Sequence, residues 1–270
     1  MFQYIGVAFE TLFFSPIKNL LVFFYYIFLQ LKLPGAFGFS IIALTIFVRL
    51  LLHPLFKQQM EMTKKMQDIK PHMDKLSAKH KKDPKKLQEE QLKLYQQYGI
   101  NPASGCLFMI IQMPIFIALY QALALFFNGN IQKTIIAINK IVYFPFLKVH
   151  SIDPWFFGIN LAMSPQKANN PFYYAVPIIT AVLQYLQVQS STPTSNAIAT
   201  VVKDKDVKLG KKENKDDFQK VMNTQMKYVF PLMIGWFSMS LPIGLSLYWN
   251  IFSLFSIIQY RNIHKKKRTN

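Results

Sequence analysis

The chain has 270 residues, 51% of them hydrophobic and 15% aromatic, with 25 Phe and 13 Tyr, which is more apolar than a soluble domain of this length needs. Its formal charge of +18 comes in blocks between long apolar stretches, the arrangement of membrane topology and not of a nucleic-acid surface. A single cysteine, Cys106, excludes an internal disulfide, and the five histidines form no i, i+4 pair, so neither a metal nor a cofactor is expected.

Residues 1–35 are apolar and aromatic but interrupted by Glu10, Pro16 and Lys18, and lack the basic start and small-residue cleavage site of a signal peptide. An interfacial helix on the outer face over Ile17 to Leu33 is the preferred reading, with an inserted sixth span as the alternative. The run 36–56 follows. At about 1.5 Å per residue it reaches about 31 Å, enough for a hydrocarbon core of about 30 Å. It contains Arg49. Eight residues before Lys57, this guanidinium is about 12 Å from the charged end that follows, more than one side chain comfortably reaches by snorkelling. The preferred reading is that Arg49 faces a hydrated, protein-lined cavity and meets something polar or acidic there.

Residues 57–104 carry eleven lysines and are expected to form a helical hairpin. Met62, Met66, Ile69, Met73 and Leu76 recur at helical spacing, with a bend at Pro71. Asp83-Pro84 then starts a second helix with an N-cap and a proline in its first position. The methionines either pair these two helices or, unbranched and adaptable, present a surface to apolar partners; Met62, Met66 and Met73 are the candidates.

Further spans are read at 105–127, 171–188, 226–241 and 243–260, the fourth of the five short enough to need tilt or shielding. A loop at 128–170 separates the second span from the third, and a basic loop at 189–225, with seven lysines, separates the third from the fourth. The tail 261–270 adds Arg261, Lys265, Lys266, Lys267 and Arg268. The hairpin, the basic loop and the tail fall on one side, against Lys133, Lys140, Lys148 and Lys167 in the opposite loop, so that side is cytoplasmic. Five spans put the N-terminus outside and the C-terminus inside; an inserted sixth would bring the N-terminus inside. The fold class is therefore an all-α polytopic membrane protein with a five-helix core.

Polar residues within the spans include Gln112 just before Pro114, Gln184 and Gln187, and Tyr248, Trp249, Asn250, Ser253, Ser256 and Gln259. Their ordinary task is hydrogen bonding between helices; alternatively Arg49, Gln112, Gln187, Tyr248, Trp249, Asn250 and Ser253 line one hydrophilic groove. No intramembrane Ser/His/Asp set, carboxylate pair, HExxH or P-loop is present, so an enzyme is not expected. The competing classes are an anion channel or transporter with Arg49 as its binding site, and a structural scaffold.

Four stretches, FSIIALTIFVRLLLHPL (Phe39 to Leu55), KMQDIKPHMDKL (Lys65 to Leu76), LYQQYGINPASGCLFMIIQMPIFIALYQAL (Leu94 to Leu123) and LPIGLSLYWNIFSLFSIIQY (Leu241 to Tyr260), resemble the YidC/Oxa1/Alb3 membrane protein insertases. The resemblance runs from about Phe14 to the tail, and the NP…GC…QMPIF run from Asn101 to Phe116 is its most specific part. It implies a five-helix core with a cytoplasmic hairpin, and a groove open to the cytoplasm and lipid but closed outside, in a bacterial cytoplasmic (inner) membrane. It further implies that nascent membrane protein clients pass into the bilayer through that groove, alone or beside the Sec translocon. The intramembrane arginine of the family corresponds to Arg49, and Gln112, Gln187, Tyr248 and Trp249 match positions on or near the groove. The chain departs from the family at Phe252-Ser253, where Ser-Asn is frequent, and at Ala36-Phe37-Gly38, where Asn-Trp-Gly is common. Fewer than 40 residues before the first core span leave no room for the large outer domain of some members. Lys265 to Arg268 either touch ribosomal RNA or anionic lipid, or only anchor the tail by charge.

Overall fold

A computed structural model describes residues 6–7, 9–80, 83–100, 104–126, 131–191 and 225–266. Most of the loop at 189–225, together with Lys267 and Arg268, lies outside the described residues, as do the side chains of Gln112, Lys265 and Lys266. The regular structure among the described residues is helical apart from a two-residue antiparallel ladder in which Trp155 pairs with Asn160 and Phe156 with Ile159.

Helix α1 (Ser15–Gln30) follows a wider turn at Glu10–Phe14 and is joined by a short turn to α2 (Ala36–Leu51). Gly35 starts α2 at φ 79°, a left-handed conformation that disfavours any residue with a Cβ. Helix α1 runs back along α2, with the rings of Phe28 and Phe39 at 5.9 Å and those of Phe24 and Phe47 at 5.9 Å. Tyr25, Phe37 and Phe126 close this end of the core, the tyrosine set edge-on to both other rings. Such pairs contribute about 0.5–1.5 kcal/mol each beyond the area they bury.

The apolar run continues to Phe56, but α2 stops at Leu51 and α3 (His53–Asp68) leaves at 69° to it. The cause is Pro54. It has no N–H for the carbonyl of Leu50, and its ring excludes the straight path, so the chain turns at Leu52 and restarts with proline in the tolerated first turn. Reading 36–56 as one straight span thus misses a change of axis, and a depth for Arg49 measured along a single helix does not hold beyond Leu52.

Helix α4 (Lys70–Lys79) continues α3 after the break at Ile69 that Pro71 imposes. Helix α5 (Pro84–Gln97) packs back on α4, capped as its sequence predicts by the Asp83 carboxylate, which accepts from the Lys86 N–H at 3.1 Å. Ile69, Met73 and Ile100 form a small separate core between these helices, with Leu94 and Tyr95 against it. Met73 is thus a packing residue, whereas Met66 is 40% exposed.

Helix α6 (Ser104–Phe126), with Pro114 inside it, leads to α7 (Ile131–Ile141) in the outer loop. That loop grips α1. Asn19 donates to the carbonyl of Ile141 at 3.0 Å and accepts from the N–H of Tyr143 at 2.7 Å. The Tyr25 hydroxyl donates to the carbonyl of Ser151 and accepts from the N–H of Asp153. A short helix α8 (Pro165–Ala168) precedes α9 (Ala175–Ser191), and α10 (Phe230–Ser240) and α11 (Ile243–Lys266) complete the bundle. Gly235 of α10 lies so close to Ala181 that an added Cβ would stand 2.8 Å from the alanine Cβ.

By length and composition, Glu10–Gln30 and Ile243–Asn262 are able to cross a membrane, and the bent pair α2 and α3 makes a third.

Candidate functional site

Arg49 sits in the last turn of α2, 4% exposed, with its guanidinium turned toward α11. Nη1 donates to Gln259 Oε1 at 3.2 Å, and Nη2 donates to the carbonyl of Phe252 at 3.0 Å and to Ser256 Oγ. The guanidinium carbon lies 3.7 Å from the ring centre of Phe252 and 4.3 Å from that of Phe56. Phe56 reaches this place because α3 turns off at Leu52 and brings its first turn beneath the end of α2. Two aromatic faces and three neutral acceptors therefore take the place of water around the charge, and the cation–π contacts are of the desolvated kind that contribute about 2 kcal/mol.

None of these partners is acidic. Among the described residues the salt bridges are Glu10 with Lys18 and Glu90 with Lys93, and neither involves Arg49. The guanidinium is solvated by dipoles and rings but not neutralised. Its Nε finds no hydrogen-bond partner among the described residues. Beside it lies a small cleft lined by Leu44, Thr45 and Val48 of α2, Ile115 and Leu119 of α6 and Ile17 of α1. Of these six residues only Thr45 is polar, and its hydroxyl donates to the carbonyl of Ile41.

The expected groove residues do not form one cluster. Tyr248 lines the same cleft as Arg49, and Trp249 stacks on Phe116 of α6 with ring centres 5.1 Å apart. Asn250 and Ser253 are on another face of α11. At about 100° per residue they share the side of Ser246, which bonds Ser238 of α10 at 2.7 Å, while Tyr248, Phe252, Ser256 and Gln259 share the side of Arg49. Asn250 Oδ1 and Ser253 Oγ are buried without a hydrogen-bond partner among the described residues. Gln187 is half-buried on α9, which packs on α10 and α11, and the Gln112 side chain lies outside the described residues. The partners that the candidate set lacks are Ser256 and Gln259; the signal for them is the spacing 252, 256, 259, one face of a helix.

Gln259 does more than accept from Arg49. Its Nε2 meets His53 Nδ1 at 3.1 Å, and with Oε1 committed to the guanidinium the amide nitrogen is the donor. About four turns further along α3, Gln67 donates to the hydroxyl of Tyr260 at 2.9 Å. The end of α11 is thus tied to both ends of α3.

A helical membrane protein with a buried arginine, shared between its first core helix and its last and without an acidic partner among the described residues, is the class that this fold and site define. The model of the 60Kd inner membrane protein family matches residues 28–270, and the chain belongs to that family, the YidC/Oxa1/Alb3 membrane insertases. It is 32% identical over 235 residues to the membrane protein insertase YidC of Caldanaerobacter subterraneus subsp. tengcongensis, covering 87% of this chain and 88% of that protein. To inner membrane ALBINO3-like protein 2, chloroplastic, of Chlamydomonas reinhardtii it is 32% identical, covering 83% of this chain and 49% of the other. To YidC of Wolinella succinogenes it is 31% identical, covering 96% and 38%. The chain therefore spans half or less of the length of the latter two relatives. A solved structure of an active YidC insertase, with its first transmembrane domain resolved, superimposes with a TM-score of 0.52 at 26% identity, over 91% of this chain and 45% of that one.

Proposed function

We propose that this chain is a membrane protein insertase and folding chaperone, which passes client segments from the cytoplasm into the bilayer, alone or beside the Sec translocon. The observation that carries the reading, within a chain of this family, is the cation at Arg49, whose partners among the described residues are all neutral. Acidic or polar client groups exchange with those neutral partners. A charge at the bilayer centre costs about 2.5–3.5 kcal/mol on insertion scales, so partial relief by one guanidinium changes insertion rates by roughly 10- to 100-fold. The client helix then leaves sideways into lipid, which supplies the driving force.

In this reading α2, α6, α9, α10 and α11 are five spans, the hairpin and tail are cytoplasmic, and α1 stays at the outer face. The bonds of Asn19 and Tyr25 to the loop between Ile141 and Asp153 support that placement. Asn19 is eleven residues, about 16 Å, from the end of α1 at Gln30, deeper than an outer loop would follow a helix crossing the bilayer. On the hairpin, Met66 and the half-buried Met62 offer the adaptable surface that catches clients, while Met73 fixes the two helices to each other. Lys265, Lys266, Lys267 and Arg268 meet anionic lipid or ribosomal RNA.

The test is insertion of a short single-span protein into liposomes containing only this purified chain, read by protease protection of the translocated tail. Chain-dependent protection is expected. Its absence, with the protein shown folded, together with anion flux through the same liposomes, would replace the insertase with the anion transporter.

A further inference from the structure

Of the three acceptors on Arg49, two are fixed and one is not. The carbonyl of Phe252 belongs to the α11 backbone, and Ser256 is held by its own donation to that carbonyl at 2.9 Å. Gln259 reaches the guanidinium with a long, flexible side chain from one turn further along α11, nearer its basic end. In the proposed topology that is the cytoplasmic side, so Gln259 stands between Arg49 and the direction from which a client arrives. Its second bond goes to His53, an exposed residue at the bend between α2 and α3. Leaving Arg49 therefore does not strand the whole amide, because Nε2 keeps its bond to the exposed His53. On the guanidinium the same step opens Nη1, and Nε already has no acceptor among the described residues.

We infer that Gln259 is the displaceable partner of Arg49 and a specificity-determining residue, a neutral competitor that an acidic client group displaces more readily than an uncharged polar one. The inference rests on the insertase reading and names the selectivity of the same site. A carboxylate on a guanidinium makes charge-assisted bonds about twice as strong as an amide oxygen does, whereas an uncharged client group offers only what Gln259 already supplies. The competitor thus sets a threshold that favours acid. Oriented toward Arg49 by its oxygen, the amide obliges His53 Nδ1 to act as an acceptor, and the bend and the cation site are joined through one side chain.

The experiment compares two single-span clients that differ only in an acidic or an uncharged polar translocated tail, in wild type, Gln259→Leu and Gln259→Glu. At a client level at which the acidic tail already fills the wild-type site, leucine removes the competitor, so only the uncharged client gains and the acidic-to-neutral ratio falls about tenfold. Glutamate is a charged competitor, so the acidic client loses and the ratio falls by at least as much. An unmoved ratio in either variant, or an equal loss of both clients, overturns the inference, since a merely structural residue would lower both together. With both tail peptides at a concentration at which the acidic one fills the wild-type site, their occupancies on the detergent-solubilised protein give the same comparison without insertion. If wild type inserts neither client, the insertase reading fails, and the occupancies still decide on Gln259.

Discussion

Gln67 and Tyr260 are 193 residues apart in the chain and joined by a 2.9 Å hydrogen bond that fastens the first hairpin helix to the last helix of the bundle. Tyr260 is 7% exposed, so its hydroxyl has little water to fall back on. Tyr260→Phe removes the hydroxyl and keeps the ring, at a cost of about 1 kcal/mol. Amide hydrogen exchange in α3 should then quicken roughly fivefold while exchange in α9 stays as it was. Unchanged exchange in α3 would show that the fastening is carried elsewhere.

Arg49→Lys keeps the charge but loses the planar fork that spans Gln259, Ser256 and the carbonyl of Phe252 at once, and the flat face set against two rings. Insertion of a client with an acidic tail should drop about tenfold in Arg49→Lys and further in Arg49→Ala, a step of about 1.4 kcal/mol or more in each case. Full activity of the lysine variant would mean that charge alone suffices. Wild-type rates in both variants would remove Arg49 from the mechanism.

Gly38 faces the ring of Phe156, and a Cβ at this position would overlap that ring. Gly38→Ala should destabilise the packing of the outer loop on α2 by about 1–3 kcal/mol, seen as a lower melting temperature in detergent. Adding Phe156→Ala should recover part of the loss, so the two substitutions together cost less than the sum of each alone.

Met73 and Met66 are separated by two helical turns and by their surroundings. Met73→Ala empties a site in the small core with Ile69 and Ile100 and should loosen the hairpin by about 2 kcal/mol or more, read by proteolysis between α4 and α5. Met66→Ala should leave proteolysis unchanged and instead weaken cross-linking of clients to the hairpin. A client cross-link indifferent to Met66 would take the capture surface elsewhere.

For α1, a cysteine in place of the exposed Val7, in a Cys106→Ser background, reports where the N-terminal end lies. Labelling of intact cells by a membrane-impermeant maleimide is expected if α1 stays at the outer face. Labelling only after permeabilisation would make α1 a sixth span.

Much of the site was legible because a single guanidinium in an apolar run stands out by composition, and the cap at Asp83 because its signal is local. The bend at Leu52 was not. Hydropathy counts apolar residues and has no axis, so Leu52, Leu55 and Phe56 extend the run although Pro54 redirects it. Which residues of α11 lie beside Arg49 was hidden for a related reason. That helix is polar on two faces; spacing groups Ser256 and Gln259 on one of them, but which face meets Arg49 depends on the rotation of α11 against α2. The role of Asn19 was likewise hidden, because its backbone partners lie more than a hundred residues away in a loop with no motif.

Ending α2 at Leu51 also sets the field at Arg49. Aligned peptide dipoles leave about half a negative charge at the C-terminal end of a helix, an effect confined to the last turn and worth about 0.3–1 kcal/mol to a cation there, up to about 2 where partly buried. A helix continuing straight to Phe56 would have carried that end away from Arg49 by about 8 Å. Pro54 therefore supplies, through backbone alone, some of the negative potential that a nearby carboxylate would otherwise provide, and does so without a counter-ion that an arriving acid would have to expel.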